Sequence, residues 1–184
     1  GAPMRATSGE SYRFGLEVDA QIAILDNLTV MPNIALSTNK NRDFIFSRDG
    51  QLVNLGNTNL AFSPEIVAGN AIMYRPVSNL EIGFLSKFVG EQFMGNIDSE
   101  LSKLDSFFIN DLNVSYTFDK LPVVREIVLS ALVNNLFNVE YVNNGFFFTF
   151  DDDFSNPPAV TTVEGAGFFP QATINFLVGA TVKF

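Results

Sequence analysis

The chain contains no cysteine, no histidine and no tryptophan. Without cysteine, no disulfide staples it and no thiolate holds a metal. Without histidine it lacks the commonest metal ligand and general base, and the usual nucleophile–base pairs go with it. No glycine-rich phosphate loop is present. These absences argue against an enzyme and against a bound cofactor. Positive charge is scarce: 11 Lys and Arg against 20 Asp and Glu leave a formal net charge of −9, so phosphate repulsion argues against nucleic acid as a partner. No run of about 18 apolar residues occurs, which excludes a transmembrane helix. The opening GAPMRATSGE carries no apolar leader; if the chain is exported, its precursor is expected to be longer.

What is present is apolar and aromatic: 47% hydrophobic residues, only 17% charged, and 20 phenylalanines among 184 residues. The last thirteen residues, ATINFLVGATVKF, separate by parity. Ala172, Ile174, Phe176, Val178, Ala180, Val182 and Phe184 share one face; Thr173, Asn175, Leu177, Gly179, Thr181 and Lys183 share the other. Side chains alternate across a strand, so this is a long strand with one apolar face. A strand crossing a bilayer needs about 9–11 residues with apolar groups toward lipid and polar groups toward a lumen.

Residues 12–24 repeat the pattern, with Tyr12, Phe14, Leu16, Val18 and Ile22 opposite Arg13, Gly15, Glu17, Asp19 and Gln21. Further strands are expected at 28–38, 66–74, 80–88, 108–118 and 127–134, with Pro32 a weak point because proline cannot donate to a ladder. Three connections are short: Asp26 and Asn27, the stretch from Arg75 to Asn79, and that from Asp119 to Arg125 with Pro122. The other three run about 20–35 residues. Short and long alternate strictly. Antiparallel strands put successive connections at opposite ends, so one end carries tight turns and the other long loops, as in outer-membrane barrels. The loops at 40–64, 90–106 and 139–170 are then extracellular and the C-terminus periplasmic. Tyr12 and Phe14 on one side, and Tyr74, Tyr116, Phe118 and Phe184 on the other, fit aromatic girdles. Inward Glu17, Asp19, Lys87, Asp111 and Lys183 would line the lumen.

The fold class expected is therefore all-β: an antiparallel transmembrane β-barrel segment. Single-chain bacterial barrels have even strand numbers, and open edges in hydrocarbon are prohibitive. Either a strand hides at 44–55 or 145–150, or the chain is part of a larger barrel.

Four stretches then carry a resemblance. LSALVNNLFNVEYVNNGF, from Leu129, contains Asn135, Leu136, Phe137 and Asn138 followed by Tyr141. LSKFVGEQF (85–93), FINDLNVSYTF (108–118) and Phe169-Pro170-Gln171-Ala172 before the last strand complete the set. In this order and spacing they resemble the C-terminal strands of TonB-dependent outer-membrane receptors, with Thr173 and Ile174 departing from that pattern. The resemblance implies a barrel of about 22 strands filled by an N-terminal plug. It implies uptake of a small-molecule ligand, an iron-siderophore complex first, with haem or cobalamin as alternatives, energised by TonB. This chain, 1–184, would be the C-terminal part of the barrel in a Gram-negative outer membrane. It would contact lipid, the rest of the barrel and its plug, and reach TonB only through the missing N-terminal part. Phe184, with Val182 and Phe176, resembles the signal read by the barrel assembly machinery and also suits a lipid anchor.

Ligand recognition is expected in one loop. Phe146, Phe147, Phe148 and Phe150 precede Asp151, Asp152 and Asp153, and aromatic groups beside a few polar ones suit a binding surface. Calcium on Asp151, Asp152, Asp153 and Asn156 has the oxygen ligands but not the EF-hand spacing. Two other readings compete: a soluble extracellular β-sandwich serving as a binding or adhesion module, and a small complete barrel.

Overall fold

The computed structural model describes residues 9–119 and 122–184. Its strands are β1 (Glu10–Asp19), β2 (Ile22–Leu25), β3 (Leu28–Arg42), β4 (Ile45–Arg48), β5 (Gln51–Asn54), β6 (Thr58–Asn59), β7 (Ile66–Val77), β8 (Leu80–Val89), β9 (Gln92–Phe93), β10 (Lys103–Leu104), β11 (Phe107–Asp119), β12 (Glu126–Asn134), β13 (Val142–Asp152), β14 (Thr161–Pro170) and β15 (Asn175–Lys183). One 3₁₀ turn, Glu100–Ser102, lies among them. The main sheet is antiparallel, in the order β1–β3–β7–β8–β11–β12–β15. That is also the chain order, so the sheet is an up-and-down meander containing every strand expected from the alternation.

The register turns the sequence alternation into two faces. One cross-strand row runs Ile22–Val30–Ile72–Phe84–Leu112–Val133–Phe176, apolar throughout. The row beside it, on the opposite face, runs Ala23–Thr29–Met73–Gly83–Asn113–Leu132–Leu177. Asp19, Asn33, Gly69, Lys87 and Ile109 form another row of this mixed face. Among the described residues no second sheet stacks on the apolar face. Phe176 is 77% exposed and Phe184 92%. A sandwich needs its apolar faces packed on one another, so this chain is not one. Nor do the described residues close a small complete barrel, because β1 and β15 stand at the two ends of the sheet order.

Pro32 has a visible consequence. The β1–β2 strand breaks at Ala20 and Gln21, yet the register is the same on both sides: Asp19 faces Asn33 and Ile22 faces Val30. Ala20 N–H donates to Pro32 O at 3.0 Å, but proline has no N–H to return the bond. A second irregularity is a polar row on the apolar face, Pro32–Asn70–Ser86–Asn110. Ser86 Oγ donates to Asn110 Oδ1 at 2.8 Å, and Asn70 Oδ1 is buried without a partner.

Three expectations change. Residues 44–55 and 145–150 do form strands, but outside the wall: β4–β5 and β13–β14 are separate hairpins within long connections. The last strand starts at Asn175, not Ala172, because the preceding residues bond to a side-chain turn described below. The connections are otherwise as expected. Asp26 and Asn27, and Ser78 and Asn79, make tight turns; Lys120 and Leu121 of the third short connection lie outside the described residues.

Candidate functional site

All three long connections gather at one end of the sheet, and there the chain builds its only buried apolar cluster among the described residues: Val89, Met94, Leu104 and Phe107. The Phe107 ring packs on Tyr141 with centroids 4.4 Å apart. Burial, with Asp111 nearby, pushes the Tyr141 hydroxyl above its ordinary pKa.

The Asn-Leu-Phe-Asn stretch is the corner that leads from the wall to this end. Asn135 and Asn138 both have positive φ, 51° and 55°, a region in which asparagine is enriched. Asn135 is buried, and its side chain is fully engaged. Oδ1 accepts from Val139 N–H at 2.9 Å, while Nδ2 donates to Val139 O at 2.8 Å and Ala172 O at 3.3 Å. Its own N–H donates to Asp111 Oδ1 at 2.8 Å. Asn138 Oδ1 accepts from Ile174 N–H at 3.0 Å. These bonds hold residues 172–174 off the ladder. Leu136 N–H donates to Asn110 O, and Phe137 points into solvent, 64% exposed. The motif thus forms a hydrogen-bonded turn, and Tyr141, just beyond it, packs on Phe107 while its carbonyl accepts from Gln171 N–H.

Beyond the corner, β13 and β14 form a hairpin whose faces differ. Phe146, Phe148 and Phe150 stand opposite Gly167, Gly165 and Val163. Their rings stack at 6.3 and 6.4 Å, tilted by 17° and 12°, and Phe169 extends the row 6.0 Å from Phe146. The glycines make room for this ladder: a Cβ at Gly165 would lie 2.4 Å from the Phe148 ring, and one at Gly167 2.4 Å from that of Phe146. The ladder is about half exposed. Phe147 belongs to the other face, where its ring lies against Gly95, 2.5 Å from where a Cβ would be. The expected aromatic set therefore divides into three exposed rings and one that packs inward.

The acidic run divides too. Asp151 accepts from Thr162 Oγ1 at 2.6 Å and Ser47 Oγ at 3.1 Å. The Thr162 hydroxyl above all holds its carboxyl below the usual range, opposed by burial and helped to a lesser degree by Ser47 and the Gly50 N–H. Asp152 turns back to accept from Phe154 and Ser155 N–H, and Ser155 above all lowers its pKa. Asp153 is exposed. The carboxylates diverge, and among the described residues no group of three or more such ligands is placed to hold a metal. A cleft of about 490 Å³ opens at the hairpin base, lined by Lys103, Asp105, Glu140, Tyr141 and Phe168. Glu91, bonded to Lys103, raises that lysine's pKa most.

Sequence reasoning missed Ser47, Asp49 and Ser99 as partners of this hairpin, and Thr162 and Glu164 as the hairpin residues that receive Asp49 and Ser99. Part of the signal for the first pair was present, since Asp49-Gly50 is a hairpin-turn dipeptide, but the flanking apolar residues, Phe44 to Phe46 and Leu52-Val53, run together rather than alternate.

A one-layer meander with one apolar face and every long connection at one end is a segment of an outer-membrane-type β-barrel wall. Known structures agree on the fold. The siderophore receptor PiuA from Acinetobacter baumannii superposes with a TM-score of 0.63 at 14% identity, over 94% of this chain and 22% of that one. The ferric yersiniabactin uptake receptor FyuA from Yersinia pestis gives 0.61 at 13% identity, over 96% and 24%. The closed form of the ferric-catecholate import receptor Fiu from Escherichia coli K12 gives 0.61 at 16% identity, over 94% and 21%. This chain thus spans less than a quarter of the length of these receptors. No protein-family model and no curated protein matches it.

Proposed function

We propose that this chain is the C-terminal part of a TonB-dependent outer-membrane receptor that imports a scarce ligand, an iron-siderophore complex. Its sheet supplies the last seven strands of a barrel of about 22. The apolar face meets lipid, and the mixed face, with Glu17, Asp19, Lys87, Asp111 and Lys183, lines the lumen against the plug. The short turns and C-terminus are periplasmic, the long connections extracellular. The exposed ladder of Phe146, Phe148 and Phe150, with the acidic residues at its tip, offers ligand a flat aromatic surface. Phe184, Val182 and Phe176, on the apolar face of an edge strand, serve barrel assembly and then anchor in lipid. TonB engages the N-terminal part that this chain does not contain.

The observation that carries this reading is the coincidence of a seven-stranded meander, alternating connections and a superposition over 94% of the chain on a siderophore receptor. The test is deletion of the full-length gene followed by growth on defined ferric chelates, haem or cobalamin as sole source. Loss of growth on one ferric chelate, restored by the gene, is expected. A requirement for haem or cobalamin instead would reassign the ligand. Recovery of the protein in the soluble fraction would end the membrane reading altogether.

A further inference from the structure

The tip of the first long connection is seated on the third. Asp49 and Gly50 join β4 to β5 with positive φ at both, 54° and 73°, as a type I′ two-residue loop requires. The bonds it makes are reciprocal. Asp49 N–H donates to Thr162 Oγ1 at 2.7 Å, and Thr162 N–H donates to Asp49 Oδ1 at 2.8 Å. Thr162 Oγ1 also donates to Asp151 Oδ1 at 2.6 Å. Gly50 lies against Val160, whose side chain would be 3.5 Å from an added Cβ. Beside this contact Glu164 gathers the remaining partners. Its Oε1 is 3.4 Å from Arg48 on the first connection, and its Oε2 accepts from Ser99 Oγ on the second. One hydroxyl and one carboxylate on β14 therefore tie together segments about 50 to 115 residues apart in sequence.

We infer that the Asp49–Gly50 tip is a latch, with Thr162 as the positioning residue that locks the first long connection onto the third, beside the Glu164 carboxylate that holds the second, and so fixes the β13–β14 hairpin. Thr162 is suited to the role because a single side chain accepts one bond and donates another, while its backbone supplies a third. The hairpin's inner face is held by this latch and by Phe147, so its outer face presents the phenylalanine ladder in a fixed pose. Only that last consequence rests on the uptake reading; the latch does not.

The test compares Thr162→Val, which keeps the shape and removes Oγ1, with Thr162→Ser, which keeps the hydroxyl. Both are made in the full-length protein in detergent micelles, and amide exchange is followed without ligand. Loss of two bonds in Thr162→Val should speed exchange of the Asp49 amide by at least about tenfold. Exchange should also rise across β4–β5, at 161–164 and around Ser99, with β8 and β11 unchanged. Thr162→Ser should stay near the parent. A Thr162→Val variant in which Asp49 keeps its protection overturns the latch, as does one in which only the first hairpin loosens. Equal behaviour of the two variants overturns the role of the hydroxyl. Failure of the growth test leaves all these outcomes readable.

Discussion

In the wall, Leu112 meets Phe84 on one side and Val133 on the other, and among the described residues no second sheet covers the face they share. At the long-connection end, Leu104 is 2% exposed, enclosed by the chain itself. The two regions solve the same problem differently. The wall satisfies its backbone through registered ladders and leaves its apolar area uncovered by the other described residues. The long connections, which project beyond the ladders of the main sheet, make a small core of their own and spend side-chain hydrogen bonds to hold hairpins that no wall strand supports. Regularity is enough where the chain leaves burial to its surroundings. Specific partners are needed where it does not.

Breaking the second region first should give the largest effect. Leu104→Ala removes the centre of the small core, at a cost of about 2–5 kcal/mol. Exchange should rise in the long connections while β8 and β11 keep their protection; a matching rise in the wall would show that the regions are not separate. The wall is probed by a charge on either face. Val114→Arg, between Ile82 and Ala131, should cost about 2–4 kcal/mol in lipid vesicles by urea unfolding. Asn113→Arg, one residue away on the mixed face, should cost far less, and equal costs would refute the facing. At the corner joining the regions, Asn135→Ala removes the side-chain bonds to Val139 and Ala172 and leaves alanine at positive φ. It should cost about 1–3 kcal/mol, read as faster exchange at Val139 and Ile174.

The smallest effect is electrostatic. Asp151 has a lowered pKa in the folded chain, so its contribution is present above the unfolded carboxyl value of about 4 and is lost as pH falls through the folded one. Protection at β4–β5 should weaken only in that acid window, and Asp151→Asn should flatten the dependence. A loss centred near neutral pH would point to another group.

The wall was legible because its rule is local. Parity alone places Phe176, Val178 and Val182 on one face, and any regular strand preserves it. Pro32 was legible as a weak point for the same reason: the missing N–H is a property of one residue. The edges of this rule show where it stops. Residues 145–150 alternate nothing, since Phe146, Phe147 and Phe148 run together, and sequence cannot say whether such a run joins the wall or leaves it. Ala172 and Ile174 obey the alternation yet lie outside the ladder, because Asn135 and Asn138, more than thirty residues earlier, take their backbone bonds.

Sequence by itself determined the strand set, the two faces and the alternation of short and long connections, because each depends on side chains within a few residues of one another. Tertiary structure alone decided that Phe147 turns inward while its neighbours stay exposed, that Asp151 and Asp152 part company, and that Thr162 receives the tip of a hairpin more than a hundred residues before it. Those outcomes depend on which distant groups arrive at hydrogen-bonding distance. No local pattern carries that information, since a threonine that closes such a contact reads the same as one that faces water.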